Sequence, residues 1–60
     1  MEMSAIKNAY YTRNELRKKE NKTQKEQETL LHLESTLDEL EYWCSDAMRA
    51  RLHDFDEETK

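Results

Sequence analysis

Residues 30 to 44 read LLHLESTLDELEYWC, and the apolar side chains of this stretch recur at the spacing of one helix face. They are separated alternately by three and four residues, which is the a/d pattern of a helix-packing seam. The seam consists of Leu30, Leu33, Leu37, Leu40, Cys44 and Ala47. Because the apolar stripe widens beyond Leu40 but continues, we predict one long helix over residues 24 to 53. The acidic tail over residues 54 to 60 is expected to fray.

The start of this helix is marked by the sequence Thr23-Gln24-Lys25-Glu26. It matches a capping box, in which the threonine hydroxyl accepts from the glutamate amide and the glutamate carboxylate accepts from the threonine amide. Asn21, just upstream, tolerates the left-handed conformation that ends many helices. These features predict a turn at residues 21 to 23. A first helix is expected over about residues 4 to 20, with Ser4 as its N-cap.

The two helices are predicted to form an antiparallel hairpin, an all-α fold that makes residues 1 to 60 a single domain. Its predicted core consists of Ile6, Tyr10, Leu16, Leu30, Leu33, Leu37 and Leu40. Residues 1 to 25 carry seven Lys or Arg and three Glu, a net charge of +4, whereas residues 26 to 60 carry three Lys or Arg and eleven Asp or Glu, a net charge of −8. Opposite charges favour this pairing. The alternative is a nearly continuous helix through Asn21.

The composition disfavours a β-fold and favours self-association. Gly, Pro and Val are absent, so the residues of tight turns and most β-branched apolar residues are missing. A chain of 60 residues with one cysteine has few means of stabilising a small core other than oligomerisation. In the predicted hairpin the second helix is longer than the first, which leaves six apolar residues without a partner in the chain. They are Trp43, Cys44, Ala47, Met48, Leu52 and Phe55.

These six residues predict an interaction surface, because an apolar patch rimmed by charges is typical of one. The first candidate for its partner is a second copy of the chain, giving a homodimer that resembles a four-helix bundle. The second candidate is a different protein, and both interactions can hold at once.

No constellation of side chains predicts catalysis, a metal or a cofactor. Cys44 has no base and orienting group beside it on the predicted helix. Glu28 and His32 lie four residues apart, but they supply at most two ligands. We therefore expect a protein that is not an enzyme and that needs no cofactor.

Six cations surround the predicted turn and offer possible phosphate contacts. They are Arg13, Arg17, Lys18, Lys19, Lys22 and Lys25. The net charge of −4 and the lack of a base-reading helix argue against nucleic acid as a partner and make it the lesser alternative. No apolar run is long enough for a membrane span or an export signal, so we expect a cytoplasmic protein without a membrane partner.

The residues Asn8-Ala9-Tyr10-Tyr11, followed by Leu16, resemble the start of the long helix in the Gam family of lambda-like phages, inhibitors of a host recombination nuclease. The similar stretch covers about nine residues. In size, charge and lack of glycine, the chain is also similar to the small early-region regulatory proteins of such phages. This resemblance implies a protein that binds host factors, in the host cytoplasm if it is phage-encoded.

Together, these observations favour a non-enzymatic protein–protein interaction module. It would be a small acidic helical dimer that modulates or inhibits a larger protein, which the resemblance to phage proteins implies is a host protein. The alternative function is a small regulator that associates with nucleic acid through the basic turn region.

Overall fold

The computed structural model describes residues 2 to 60, which form three α-helices. Helix α1 spans Met3–Lys18, α2 spans Gln24–Trp43 and α3 spans Asp46–Thr59. Within the described residues there is no strand, so the prediction of an all-α fold is confirmed. The prediction of two helices is wrong, because the chain breaks a second time before α3. No helix in residues 2 to 60 is both long enough and apolar enough to cross a membrane.

Helix α2 begins where its capping sequence predicts. The Thr23 hydroxyl accepts from the Glu26 amide at 3.1 Å, and the Glu26 carboxylate accepts from the Thr23 amide at 3.0 Å. The Lys19 ammonium also donates to this carboxylate. The hydrogen bond from Lys19 and the one from the Thr23 amide both favour the ionised carboxylate, and they lower the pKa of Glu26. One glutamate thus anchors both the linker and the start of the helix.

Helix α1 differs from its predicted bounds at both ends. Its N-cap is Glu2, whose carboxylate accepts from the Ser4 hydroxyl at 2.9 Å, so Ser4 is not the cap. The helix ends at Lys18, and Lys19 already has an extended backbone with φ −71° and ψ 123°. No residue from 2 to 60 has a positive φ, which shows that the predicted left-handed role of Asn21 is wrong. The linker begins and ends with extended residues, Lys19 and Thr23, and no continuous helix passes through it.

The second break divides the helix that was predicted over residues 24 to 53. Cys44 and Ser45 are both extended, with ψ near 163° and 165°. The Ser45 hydroxyl then accepts from the Met48 amide at 3.2 Å and caps α3. The Arg49 guanidinium donates to the Glu41 carbonyl at 3.1 and 3.2 Å, and this carbonyl is one of the last four of α2, which have no partner within the helix backbone.

Helix α1 packs against both other helices and holds the core together. It runs antiparallel to α2: Arg17 pairs with Glu34 at 2.8 Å towards the linker, whereas Ile6 shares a groove with Trp43 at the far end. The fully buried apolar side chains are Ile6, Tyr10, Leu37 and Leu52. Three of these were predicted, and Leu40 packs at their edge. The other predicted core residues, Leu16, Leu30 and Leu33, are only half-buried towards the linker.

Helix α3 occupies the position that a second copy of the chain was predicted to fill. Leu52 has no exposed surface, and three further members of the predicted interface pack against the core: Cys44, Met48 and Phe55. The expectation that these four residues lack a partner within the chain is therefore wrong. The break at residues 44 and 45 lets α3 fold back, so the tail over residues 54 to 60 is helical to Thr59 and does not fray as predicted. Trp43 and Ala47 remain exposed.

Candidate functional site

An apolar groove of about 320 Å³ lies between the N-terminal half of α1 and the C-terminal half of α2. We call it the α1–α2 groove. Its lining residues are Ile6, Ala9, Thr36, Leu37, Glu39, Leu40 and Trp43. Glu39 is the single charged group among them, and the floor is formed by core side chains such as Ile6 and Leu37. A mostly apolar concavity with a few polar groups at its edge is the usual form of a binding site.

Two large aromatic side chains are exposed where α2 ends. Trp43 is 76% exposed and Tyr42 is 73% exposed, and their ring centroids lie 4.9 Å apart in an edge-to-face arrangement. Neighbouring helical residues point about 100° apart, so these two side chains cannot both face the core. Tryptophan and tyrosine are the residues most enriched at the energetic centres of protein interfaces. The sequence predicted a role for Trp43 but not for Tyr42, although the adjacent aromatic pair was a usable signal.

The packing at this end of the molecule explains why Trp43 stays outside. The inward positions of α2 are filled by Leu40 and Cys44, both of which pack against the core. The Cys44 thiol also donates to the Glu41 carbonyl at 3.3 Å. With these inward positions occupied, the indole lies on the rim of the α1–α2 groove.

The one charged side chain in the lining of the α1–α2 groove is the Glu39 carboxylate. The sequence segments that flank the groove, residues 2 to 9 and 36 to 43, contain three further carboxylates and one lysine. The lysine, Lys7, is paired with Glu58 of α3 at 2.8 Å. No ion pair within residues 2 to 60 involves Glu39, and its carboxylate remains at the groove edge. A positively charged ligand would therefore be attracted here.

A buried polar network lies farther along α1, where this helix meets α3. The Arg13 guanidinium is 2.6 Å from the Asp56 carboxylate, and only 4% of Arg13 is exposed. The Asn14 amide donates to the same carboxylate and to the Thr59 hydroxyl, each at 3.0 Å. The guanidinium also lies 4.8 Å from the centre of the Tyr10 ring. We call these five residues the α1–α3 network.

The α1–α3 network changes the interpretation of two predicted features. Arg13 is inside the fold and bound to Asp56, so its predicted role as a phosphate contact is wrong. Asp56 and Thr59 were predicted to belong to a frayed tail, but they hold α3 against α1. Their partners lie more than 40 residues away along the chain, and no local pattern reveals such a pairing.

Tyr10 is the member of this network whose polar group is unsatisfied. Its hydroxyl is buried and has no hydrogen-bond partner within residues 2 to 60. Burial, followed by the Glu41 carboxylate, disfavours the phenolate and raises the pKa of Tyr10 to about 12. The aromatic ring stabilises the core, while the hydroxyl costs stability.

Most of the other predicted phosphate contacts already have a partner. Arg17 pairs with Glu34, Lys18 with Glu15 at 3.7 Å and Lys19 with Glu26. The Lys22 ammonium donates to the Lys19 carbonyl at 2.8 Å, and Lys25 is exposed. A wider depression of about 480 Å³ lies nearby, but charges of both signs line it. This neutralisation weakens the attraction that a phosphate backbone would need.

No family model, curated protein or solved structure matches the chain. In residues 2 to 60, no group of three or more His, Cys, Asp or Glu side chains could hold a metal ion. The roles assigned to the residues therefore rest on geometry and charge, and the similarity to phage regulatory proteins remains a prediction.

Proposed function

We propose that the protein is a non-enzymatic protein-binding module that acts through the α1–α2 groove. The observation that carries this proposal is the position of Trp43, which is 76% exposed on the rim of an apolar groove while the core beneath it is closed. A large exposed aromatic residue beside an apolar concavity is typical of an interaction surface. The activity we propose is the binding, and thereby the modulation or inhibition, of a larger protein.

The groove is not needed to complete the fold of the chain. Core positions from all three helices are already filled by Ile6, Tyr10, Leu37 and Leu52. Trp43 contributes little to this core, so its size and exposure call for another explanation. A partner that covered the indole would gain the hydrophobic free energy that the fold leaves unused at this position.

Self-association and a different partner both remain compatible with this proposal. The homodimer was predicted because six apolar residues of the second helix had no partner within the predicted hairpin, but α3 folds back and four of them pack within the chain. A second copy could still bind through Trp43 and the groove. A host protein as the partner is suggested by the resemblance to phage regulatory proteins alone.

Nucleic-acid binding is not proposed. The cations that would have carried it are largely engaged, with Arg13 buried and three others in ion pairs. No observation favours this alternative over a protein partner.

Site-specific photo-crosslinking tests the proposal, with Thr36 and Ser35 as matched positions. Both side chains are exposed and adjacent in α2, but only Thr36 lines the α1–α2 groove. A photoreactive residue is introduced at each position, and the protein is crosslinked in the cells that produce it. We expect one discrete crosslinked protein from position 36 and none from position 35, with loss of the product in the Trp43→Ala background.

Identical crosslinking patterns at the two positions would contradict the proposal. So would a product at position 36 that is unaffected by Trp43→Ala. The mass of the product also distinguishes the partners, since a second copy gives twice the mass of the chain.

A further inference from the structure

We infer that the α1–α2 groove binds a positively charged amphipathic helix of another protein. This inference rests on the proposed function and adds the chemical class of the partner. Three features support it: the length of the groove, the charge around it, and the poor fit of a second copy.

The length of the groove suits a short helical segment. Its lining on α2 runs from Thr36 to Trp43, a stretch of eight residues that spans roughly 10 Å at about 1.5 Å per residue. This is about two helical turns, which a partner helix covers with apolar anchors at positions i, i+3 or i+4, and i+7. The exposed indole of Trp43 would lie over the outer side of such a helix. A pocket for one small side chain would not need a rim of this length.

The charge around the groove specifies a cationic partner. Of the three carboxylates in this part of α2, Glu39 lines the groove, Asp38 and Glu41 lie next to groove residues in the sequence, and the segment has no Lys or Arg. The neighbouring Lys7 of α1 is directed to Glu58 of α3 and is already paired. Lysine or arginine residues flanking the apolar anchors would complement these carboxylates, whereas an acidic helix would be repelled.

A second copy of the chain fits the groove less well. A two-fold dimer places the same patch on both sides of the interface, so Glu39 and its acidic neighbours would face themselves. A head-to-tail contact would need a free basic amphipathic helix. The basic helix of this chain is α1, and its apolar face, which includes Ile6 and Tyr10, is already buried in the core.

Fluorescence anisotropy with two designed peptides tests this inference. Both peptides are helical, lack tryptophan and share the same leucine anchors at i, i+4 and i+7, but one carries flanking lysines and the other flanking glutamates. Each is labelled and titrated with wild-type protein and with Glu39→Lys. The matched control is Glu28→Lys, the same charge change at an exposed position of α2 that does not line the groove.

We expect the wild-type protein to bind the lysine peptide about tenfold more tightly than the glutamate peptide, because several weak exposed charge pairs act together. The preference should shrink as salt is added. Glu39→Lys should remove or reverse the preference, and Glu28→Lys should leave it nearly unchanged. Trp43→Ala should weaken the binding of both peptides.

The outcomes separate this inference from the proposed function. Equal or tighter Trp43-dependent binding of the glutamate peptide overturns the inference but keeps the groove as a binding site. Binding of neither peptide overturns the basic helix as the ligand, and the crosslinking experiment then decides whether the groove has any partner. A concentration-dependent dimer that Trp43→Ala abolishes assigns the groove to a second copy and also overturns the inference.

Discussion

The interface of α1 with α3 and the groove that α1 forms with α2 differ in where their polar and apolar side chains lie. On the α3 side, charged and polar groups are buried and bind one another, as Arg13 and Asp56 do at 2.6 Å. On the α2 side, an apolar groove is open to solvent and the large indole of Trp43 is exposed beside it. In a small protein, this is the reverse of the usual separation of polar surface from apolar core.

The contrast suggests a division of roles between the two surfaces. A buried ion pair with hydrogen-bonded neighbours fixes how α3 lies on α1, and the chain is stable only while each member keeps its partner. An open groove leaves apolar surface exposed to water, which is unfavourable, and contributes little to the stability of the fold. We therefore expect substitutions in the α1–α3 network to change stability and substitutions at the groove rim to change binding.

The largest effect is expected from Leu52→Ala, which removes the main contribution of α3 to the core. Leu52 is fully buried, and such substitutions typically cost about 2–5 kcal/mol. A domain of this length has a total stability of roughly 3–9 kcal/mol, so the variant should be largely unfolded. Urea denaturation followed by circular dichroism measures the loss.

A milder substitution keeps this prediction quantitative if Leu52→Ala fails to fold. Ile6→Val, at another fully buried position, should cost about 0.5–1.5 kcal/mol. If Leu52→Ala were as stable as the wild type, α3 would not be packed as described.

The next largest effect is expected from Asp56→Leu, which leaves the Arg13 guanidinium buried without its anion. Removing one partner of a buried pair costs about 3–5 kcal/mol, and the partial exposure of Asp56 places this variant at the low end. The double variant Arg13→Met with Asp56→Leu should recover part of the loss, because no charge is left unpaired. A double-mutant cycle by urea unfolding measures the coupling, and strictly additive losses would show that the two side chains do not interact.

A smaller change of opposite sign is expected from Tyr10→Phe. The buried hydroxyl has no partner within residues 2 to 60, so its removal should stabilise the protein by about 1 kcal/mol. The folded pKa of Tyr10, about 12, lies above its usual value of 10. The free energy of unfolding of the wild type should therefore be unaffected by this ionisation below pH 10. It should fall as the pH rises through 12, because the tyrosine ionises more readily in the unfolded chain.

Unfolding curves of wild type and Tyr10→Phe between pH 7 and pH 12 test both parts of this prediction. The variant should start more stable and lose less stability above pH 10. A variant that is less stable at neutral pH would show that the hydroxyl has a partner.

The smallest effect on stability is expected from Trp43→Ala. Because the indole is 76% exposed, the change in the free energy of unfolding should stay within about 0.5 kcal/mol. The same variant is expected to lose groove binding. A large destabilisation would place Trp43 in the core and remove the distinction between the two surfaces.

The sequence revealed the local elements better than the long-range ones. The capping box at Thr23 and Glu26 acts over three residues and fixed the start of α2 correctly. The buried roles of Ile6, Tyr10 and Leu37 followed from helical spacing. Each of these signals depends on residues that are close together in the sequence, so it does not depend on how the helices pack against one another.

The break between α2 and α3 was missed because the apolar spacing continues across it. Ser45 followed by Asp46 is an N-cap signal. The apolar spacing that continues past this serine favours one unbroken helix, and it outweighed the single capping residue. Cys44 and Ser45 form this break with extended backbones and no positive φ, so the break does not require glycine. A sequence without glycine therefore gave no sign of it. The acidic tail looked solvated because the partners of Asp56 lie more than 40 residues away.

Collisional quenching of the fluorescence of Trp43 by acrylamide tests the central claim most directly, since Trp43 is the sole tryptophan in the chain. The quenching constant is measured for the folded protein over a range of concentrations and again in urea. We predict that the indole of the folded protein is nearly as accessible as in the unfolded chain, and that dilution changes nothing. A strongly protected indole at every concentration would contradict the open groove and show that Trp43 belongs to the core.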